Sequence, residues 1–181
     1  MAICEKVNKV QVLTKLWIYD IIIAKRKGDN KMTIWFDMDG TIANLYGEEN
    51  WLSDIKAEKT TPYDNAKPMI NMEKFAYLCD WLQNFGINIG IISWVAKNGK
   101  KQYNLAVENA KKEWLSRNCN IDFDKIIITK YGVNKSKFAH DDDIIFDDDE
   151  RVRNKWTHGF SYNPQTVDIN EKLAEILERV A

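Results

Sequence analysis

The segment Thr33–Thr41 constrains the fold of this chain more than any other stretch. It opens with TIWF, four residues suited to a buried strand, and two carboxylates follow at Asp37 and Asp39. A strand has a side-chain period of two, so both carboxylates share one side while the chain stays extended, and Gly40 then permits a sharp turn. Buried carboxylates without a partner are costly. The segment therefore predicts a cation and phosphate site at the carboxyl end of a strand, where open α/β folds bind their ligands.

Length, charge and cysteine content narrow the class of protein. The chain has 181 residues, which suits one α/β domain with a sizeable core. Its net charge of −1 lacks the basic excess of a bulk nucleic-acid binder. The three cysteines, Cys4, Cys79 and Cys119, are far apart and form no CxxC pattern. We therefore expect a reduced, cytoplasmic protein without a nucleic-acid partner, a disulfide framework or a zinc site.

The N-terminal residues 1–31 form an apolar and basic extension ahead of a domain at 32–181. Residues 7–24 are rich in apolar groups, but Lys9, Lys15 and Asp20 interrupt them, which argues against a membrane span. No small-residue cleavage site follows, which argues against a signal peptide. Three hypotheses stay open: an element packed on the domain, an amphipathic element for a partner or membrane surface, and an extension with little structure. Translation starting at Met32 is a further hypothesis.

Hydrophobic periodicity after the first strand predicts alternating helices and strands. Helical spacing covers Met72–Phe85, Gln102–Leu115 and Asp168–Val180, with a short helical segment at Lys135–His140. Further strands are predicted at 87–92, 124–129, 143–146 and 159–162. Residues 42–70 are irregular apart from a short helix in WLSDIKA, and we expect an ordered cover there. This alternation predicts an α/β fold with a mainly parallel central sheet covered on both faces.

Three of the predicted strands end in polar side chains. Asp37 and Asp39 follow the first strand, Ser93 the second, and Asp147 and Asp148 the strand at 143–146. The carboxyl ends of parallel strands meet at one edge of a sheet, so we expect these groups to share a site. Clustered carboxylates favour Mg²⁺, which neutralises a substrate phosphate. One carboxylate can then attack phosphorus, and a second can transfer protons.

The string DMDGT behind an apolar strand resembles the first motif of the haloacid dehalogenase-like (HAD) phosphatases, and the later motifs match in order over most of residues 33–163. The resemblance implies a three-layer, Rossmann-like domain and an aspartyl-phosphate intermediate. It implies that Asp37 is the nucleophile, and that Asp39 is the acid and base whose backbone carbonyl also binds Mg²⁺. It further implies that Ser93 supplies the hydroxyl of the second motif.

The same resemblance extends to the lysine and the acidic pair of the later motifs. Lys135 best matches the motif-three lysine, with Lys137 a near alternative and Lys130 a distant one. Asp147 and Asp148 match the acids of the fourth motif, and either one can complete the metal shell. The metal ligands implied are therefore Asp37, Asp39, Asp147 and Asp148.

Other charged residues are assigned to solvated surface. The HDDD run at 140–143 is interpreted as an acidic turn, and Lys111 with Lys112 as a solvated helix face. Lys97, Lys100 and Lys101 are assigned to a solvated helix face in the same way. For both groups of lysines, a phosphate-attracting rim is the alternative.

Cap length and the end of the chain bear on the substrate. Residues 42–70 allow only a minimal cap or flap, and no large cap fits between Ser93 and Lys135. The segment WTHGFSYN at 156–163 resembles the 5′(3′)-deoxyribonucleotidase-like branch, whose members hold the nucleoside with aromatic side chains. Candidate substrate-binding residues are Thr41, Trp51 and Trp94, with Tyr46 and Tyr63 as further aromatic candidates.

The leading hypothesis is a Mg²⁺-dependent phosphomonoesterase acting on nucleotides or similar small phosphate esters. One alternative is a polynucleotide end phosphatase, because a site with little cap can admit a large substrate. Another is a catalytically idle HAD module that serves binding or assembly through residues 1–31. A homo-oligomer is a further hypothesis, because a partner subunit can cover an open site.

Overall fold

The computed structural model describes residues 31–181, so the hypotheses on residues 7–24 lie outside the described residues. Its main sheet has five strands in the order β5-β4-β1-β6-β7, and all four ladders are parallel. The strands are β1 (Thr33–Phe36), β4 (Asn88–Trp94), β5 (Lys125–Thr129), β6 (Ile144–Phe146) and β7 (Ser161–Tyr162). A separate antiparallel pair joins β2 (Ala43–Asn44) to β3 (Lys67–Pro68). The predicted α/β fold with a mainly parallel sheet is confirmed.

Helices connect the strands. They are α1 (Trp51–Lys56), α2 (Thr61–Asn65), α3 (Met72–Asn84), α4 (Lys101–Asn118), α5 (Glu150–Arg153) and α6 (Ile169–Val180). Two 3₁₀ helices span Leu45–Gly47 and Lys135–Phe138. The segment 42–70 thus holds more regular structure than the sequence predicts, in elements too short for a clear hydrophobic period. Among residues 31–181, every helix is too short or too polar to cross a membrane.

Strand β1 lies at the centre of the sheet and is buried along its whole length. Its alternate side chains enter two different cores, as the period of two requires. Phe36 packs between Phe75 and Phe146, with ring centroids 4.9 and 5.2 Å away, on the face covered by α3, α4 and α6. Trp35 enters the opposite core with Ile145, under α5 and the residues around it. Because the strand is fixed on both faces, the position of Asp37 at its end is fixed as well.

The interpretation of residues 140–143 as a solvated acidic turn is wrong for Asp143. This residue is 0% exposed. Its carboxylate accepts hydrogen bonds from the backbone N–H of Thr33 (2.7 Å), the indole of Trp35 (3.0 Å) and the backbone N–H of His140 (2.9 Å). These donors would lie buried without an acceptor if the carboxylate were absent. Asp143 therefore joins the start of β6 to the start of β1.

Candidate functional site

Two acidic side chains follow the neighbouring central strands β1 and β6. The sheet ladder continues one residue past each strand: Asp37 N–H donates to the carbonyl of Phe146 (2.9 Å), and Asp147 N–H donates to that of Tyr162 (3.1 Å). Asp37, Asp147 and Asp148 each offer a carboxylate oxygen, and these oxygens lie within 4.8 Å of one another. The predicted convergence of these acidic groups at one edge of the sheet is thus present.

A tight turn after Asp37 brings the two acidic loops together. The carbonyl of Met38 accepts hydrogen bonds from three successive N–H groups, at 41, 42 and 43. Gly40 has a φ of +76°, and a Cβ there would lie 2.5 Å from Asp148 Oδ2 and 2.8 Å from Tyr46 Cε2. A larger residue would be strained by the positive φ and would displace the side chains of Asp148 and Tyr46. The backbone conformation of the turn therefore favours the glycine of the DMDGT motif.

Lys135 is the lysine that enters the site. It begins the second 3₁₀ helix and is fully buried, with Nζ 2.7 Å from Asp147 Oδ2 and 3.0 Å from Asp37 Oδ1. Burial alone would lower the pKa of Lys135, but Asp37 and Asp147 outweigh it and raise the pKa, so the side chain stays charged. The two alternatives, Lys137 and Lys130, are exposed.

A second buried lysine is the clearest correction to the sequence interpretation. Lys111, assigned there to a solvated helix face, is only 1% exposed. Its Nζ donates hydrogen bonds to Asp39 Oδ2 (2.6 Å), Ser93 Oγ (2.8 Å) and the carbonyl of Trp94 (2.8 Å). The lysine therefore fixes the carboxylate of Asp39 beside the hydroxyl of Ser93. Its neighbour Lys112 is the exposed member of the pair and bonds Glu108.

The position of Lys111 in the helix carried a signal of its burial. It lies one helical turn from Val107 and from Leu115, both of which are buried in α4. A charged residue on the apolar stripe of a helix needs a buried partner, and the acids at the strand ends are the available ones. Arg153 was also not predicted; its Nη1 donates to the carbonyls of Asp147 (2.8 Å) and Asp148 (2.7 Å) and fixes the acidic loop.

Crowding raises the pKa values of the acids. Burial, followed by the charge of Asp37, raises the pKa of Asp147 and of Asp148 to about 7. The pKa of Asp39 is also raised, by burial first, although Lys111 opposes the shift. The ionised forms of these groups are thus destabilised in the absence of further positive charge.

The residues present fit a divalent cation. With four carboxylates ionised (Asp37, Asp39, Asp147 and Asp148) and two charged lysines, the site carries two uncompensated negative charges. The buried Oδ1 of Asp37 has no hydrogen bond of acceptable geometry, despite its ion pair with Lys135. Both oxygens of Asp147 accept a hydrogen bond, from Lys135 and from the N–H of Asp149, whereas Asp148 lines the adjoining cavity. Carboxylate oxygens suit a hard cation.

A cavity of about 360 Å³ lies above these groups. Asp37, Asp39, Ser93 and Asp148 contribute polar groups to its lining. Residues of the segment 42–70 line it with aromatic and aliphatic side chains, namely Leu45, Tyr46, Trp51, Leu52, Ile55 and Tyr63. The segment 42–70 is therefore part of the wall of the cavity.

The predicted substrate-binding residues differ in their positions. Trp51 lines the cavity, with its ring 5.1 Å from that of Tyr46. Trp94 lines it with Tyr131, whose ring lies 5.0 Å away, and its indole N–H donates to the carbonyl of Val133 (2.9 Å). Thr41 is buried and is not part of the cavity lining, so its role in substrate binding stays a prediction.

The rim of the cavity carries cationic side chains. Of the lysine cluster at 97–101, Lys97 lines the cavity, with Nζ 5.6 Å from the ring centroid of Tyr131. Lys100 instead forms an ion pair with Glu58 at 3.3 Å. Arg151 also lines the cavity and donates to the hydroxyl of Tyr131 (3.0 Å). The rim can attract an anionic ligand through Lys97, since Arg151 is already paired with Asp149.

Comparisons with known proteins supply no family. No family model matches the chain, and no curated protein matches it significantly. The functional argument therefore depends on the motifs and on the geometry of the site.

Proposed function

We propose that this protein is a Mg²⁺-dependent phosphomonoesterase of the HAD type. One observation carries the proposal: the carboxylates of Asp37, Asp147 and Asp148 lie within 4.8 Å of one another, and the buried Lys135 contacts two of them. A cluster of acids with its own lysine suits both a cation and the oxygens of a phosphoryl group. Its place at the carboxyl ends of parallel strands agrees with the ligand sites of open α/β folds.

The two carboxylates after β1 divide the chemistry. A carboxylate oxygen of Asp37 attacks phosphorus and forms an aspartyl-phosphate, and the bond from phosphorus to the ester oxygen breaks. Asp39 gives its proton to the departing oxygen. It then accepts a proton from the water that attacks the aspartyl-phosphate, which releases inorganic phosphate and restores Asp37. The raised pKa of Asp39 suits this proton transfer.

The remaining polar groups bind and orient the phosphate. Lys135 lies beside Asp37 and neutralises charge on the phosphoryl oxygens. Ser93 accepts a hydrogen bond from Lys111, so its own hydroxyl proton can be donated to a phosphoryl oxygen. Asp37, Asp148 and the backbone carbonyl of Asp39 would hold Mg²⁺, with Asp147 orienting Lys135. Bound there, Mg²⁺ would supply Lewis-acid stabilisation of the charge on the transferring group.

The cavity supports a small phosphate ester with a flat, apolar leaving group. Its volume of about 360 Å³ lies in the range of small-ligand pockets. Trp51 with Tyr46, and Trp94 with Tyr131, provide two aromatic pairs on which a nucleobase can stack. The wall formed by residues 42–70 favours a mononucleotide over the end of a polynucleotide. We therefore propose a nucleoside monophosphate or a similar ester as the substrate.

The test is phosphate release from a panel of nucleoside and deoxynucleoside monophosphates in Mg²⁺. The wild type is compared with Asp37→Asn and with Asp80→Asn, a matched change at an exposed helix position. We expect Asp37→Asn to lower release at least about a thousandfold, because the nucleophile is lost, and Asp80→Asn to leave it unchanged. Release by Asp37→Asn at the wild-type rate would reject the mechanism. Absence of release from every ester by the wild type would reject the nucleotidase proposal.

A further inference from the structure

Strand β5 is the outermost strand of the main sheet. It pairs with β4 on one side, and no strand among residues 31–181 pairs with its other side. Its sequence, KIIIT, contains no proline or glycine, and Ile126 is 41% exposed. Natural proteins protect edge strands with prolines, bulges or several charges, because an open edge is a template for pairing with another strand. Here Lys125 is the only charge within the strand.

The backbone of β5 offers hydrogen-bonding groups on the open side. At its end, the carbonyl of Thr129 accepts a hydrogen bond from the N–H of Val95 in the ladder with β4. In a strand, alternate residues turn their backbone groups to opposite sides. Lys125, Ile127 and Thr129 therefore face β4 with their backbone groups, whereas Ile126 and Ile128 turn theirs away from the sheet.

We propose that this edge pairs with the same edge of a second copy of the chain, antiparallel, about a two-fold axis at Ile127. The five strands of each copy then form one continuous sheet. In an antiparallel pair, outward-facing residues must oppose each other, and an axis at Ile127 meets this condition with the greatest overlap of the two strands. It also places Ile126 opposite the partner's Ile128, so β-branched side chains meet across the interface.

Charge complementarity favours a second copy over an unrelated segment. With the axis at Ile127, Asp124 lies opposite the partner's Lys130, and Lys125 lies opposite the partner's Thr129. Asp124 and Lys130 are both exposed. Asp124 Oδ2 accepts hydrogen bonds from the N–H of Ile89 and from Gln83 Nε2, but both donors are neutral, so the negative charge of Asp124 is still available to the other copy. No like charges oppose each other over this stretch. Opposite charges across strands stabilise a pair, whereas like charges destabilise it.

The surface next to the strand can supply the rest of the interface. A groove of about 1070 Å³ lies between α4 and the end of β5, lined in part by Leu105, Ile128 and Tyr131, and Leu105 is 58% exposed. Pairing of two short strands buries less than the total of ~1,200 Å² that stable interfaces need, so this groove must also be covered. Tyr131 lines both the groove and the candidate site, so the interface reaches the mouth of that site.

The test is the oligomeric state of the full chain, measured by sedimentation over a range of concentrations. We expect a dimer for the wild type. Ile126→Lys should raise the dissociation constant at least about tenfold, because it places charges against the partner's isoleucine. The matched control is Tyr77→Lys, at a 59% exposed position on α3, which should stay dimeric. A monomeric wild type, an Ile126→Lys dimer as tight as that of the wild type, or equal dissociation of both variants would overturn the proposal.

A second variant guards against misfolding of Ile126→Lys. Lys130→Glu changes an exposed residue and would place two acids opposite each other, so the dimer should weaken severalfold, whereas Lys74→Glu on α3 should have no effect. An unchanged dimer in Lys130→Glu would contradict the two-fold register.

Amide hydrogen exchange locates the interface. Exchange at the Ile126 N–H, which faces the open side, should slow as the dimer forms with rising concentration. Protection of this N–H in a protein that stays monomeric would show that a segment of the same chain covers the edge, which would overturn the proposal. Rapid exchange at Ile126 in the dimer would do the same.

Discussion

The two ends of strand β6 carry buried carboxylates of opposite character. Asp143 precedes the strand and Asp147 follows it, and both are 0% exposed. Asp143 accepts hydrogen bonds from three neutral N–H groups and has its other contacts in the core. Asp147 accepts from the charged Lys135 and lies in a cluster with Asp37 and Asp148. Asp143 thus has only neutral donors around it, whereas Asp147 shares its charged donor, Lys135, with a second carboxylate, Asp37.

This difference separates a structural acid from an acid of a candidate site. A buried carboxylate saturated by N–H donors has nothing left to bind, so its effect is on stability. Carboxylates that crowd one another leave negative charge uncompensated, and their perturbed pKa values are typical of functional sites. The predictions that follow test whether the two ends of the sheet separate in this way.

The largest effect on stability is expected from Asp143, at the amino end of β6. Asp143→Ala removes the acceptor of three buried or half-buried donors and should lower the free energy of unfolding by about 3–5 kcal/mol. Denaturant unfolding measures this loss. Phosphate release per folded molecule should be unchanged, because Asp143 lies at the far end of the strand. An Asp143→Ala variant that is as stable as the wild type but has lost activity would contradict the assignment of Asp143 to a structural role.

At the carboxyl ends of the strands, Lys111 is the residue other than the acids whose replacement should lower activity most. Lys111→Met should lower kcat/KM about 100–1,000-fold, because Asp39 and Ser93 lose the ammonium group that orients both. Lys112→Met is the matched control: the same change one residue away, at an exposed position that pairs with Glu108. Steady-state kinetics on a nucleoside monophosphate measures both. Equal losses in the two variants would argue against the role of Lys111.

Asp143 and Lys111 also show where a prediction from the sequence succeeds and where it fails. The acids after β1 and β6 could be placed at one site because parallel strands end at the same edge, whatever their detailed packing. The HDDD run at 140–143 and the lysine pair at 111–112 are ordinary surface patterns, and burial of one member of each depends on tertiary contacts. Asp143 is buried because Trp35 needs an acceptor, and Lys111 because Asp39 needs a cation.

Short elements were harder to predict than long ones. The strand at 33–36 is a run of four buried residues, and the helix from Met72 has 13 residues, so each has a clear hydrophobic pattern in the sequence. The helices α1 and α2 have six and five residues, and their packing depends on the cavity they surround. The sequence thus predicted a cover at 42–70 but could not predict its internal structure.

The dependence of stability on pH and Mg²⁺ should also distinguish the acids at the two ends of β6. The pKa values of Asp147 and Asp148 are raised to about 7 from an ordinary 3.8, so the folded protein binds protons more tightly than the unfolded one. Without a divalent cation, the free energy of unfolding should therefore fall as the pH rises from about 4 to above about 7. Under the proposed function, Mg²⁺ would bind the ionised acids and should restore about 1–2 kcal/mol above that range, but not below it.

Thermal unfolding at about pH 8 and about pH 5.5, with Mg²⁺ or a chelator, measures this response. Asp148→Asn should lose the stabilisation by Mg²⁺ at the higher pH. Asp143→Asn should keep it, since Asp143 lies outside the proposed cation site. Stabilisation of equal size at both pH values would contradict the assignment of the cation to these acids.

The smallest effect is expected at the aromatic wall above the acids. Trp51→Ala removes one surface for stacking and should raise KM about tenfold, or ~1.4 kcal/mol, with little change in kcat, because in the proposed complex the ring would contact the leaving group and not the phosphate. Trp81→Ala is the control, since Trp81 is an exposed tryptophan on α3, outside the residues that line the cavity. With a phosphate ester that carries no ring, Trp51→Ala should behave as the wild type. A fall in kcat with both esters would instead mean that Trp51 supports the acids themselves, and the chemistry of the carboxyl end would then extend into the segment 42–70.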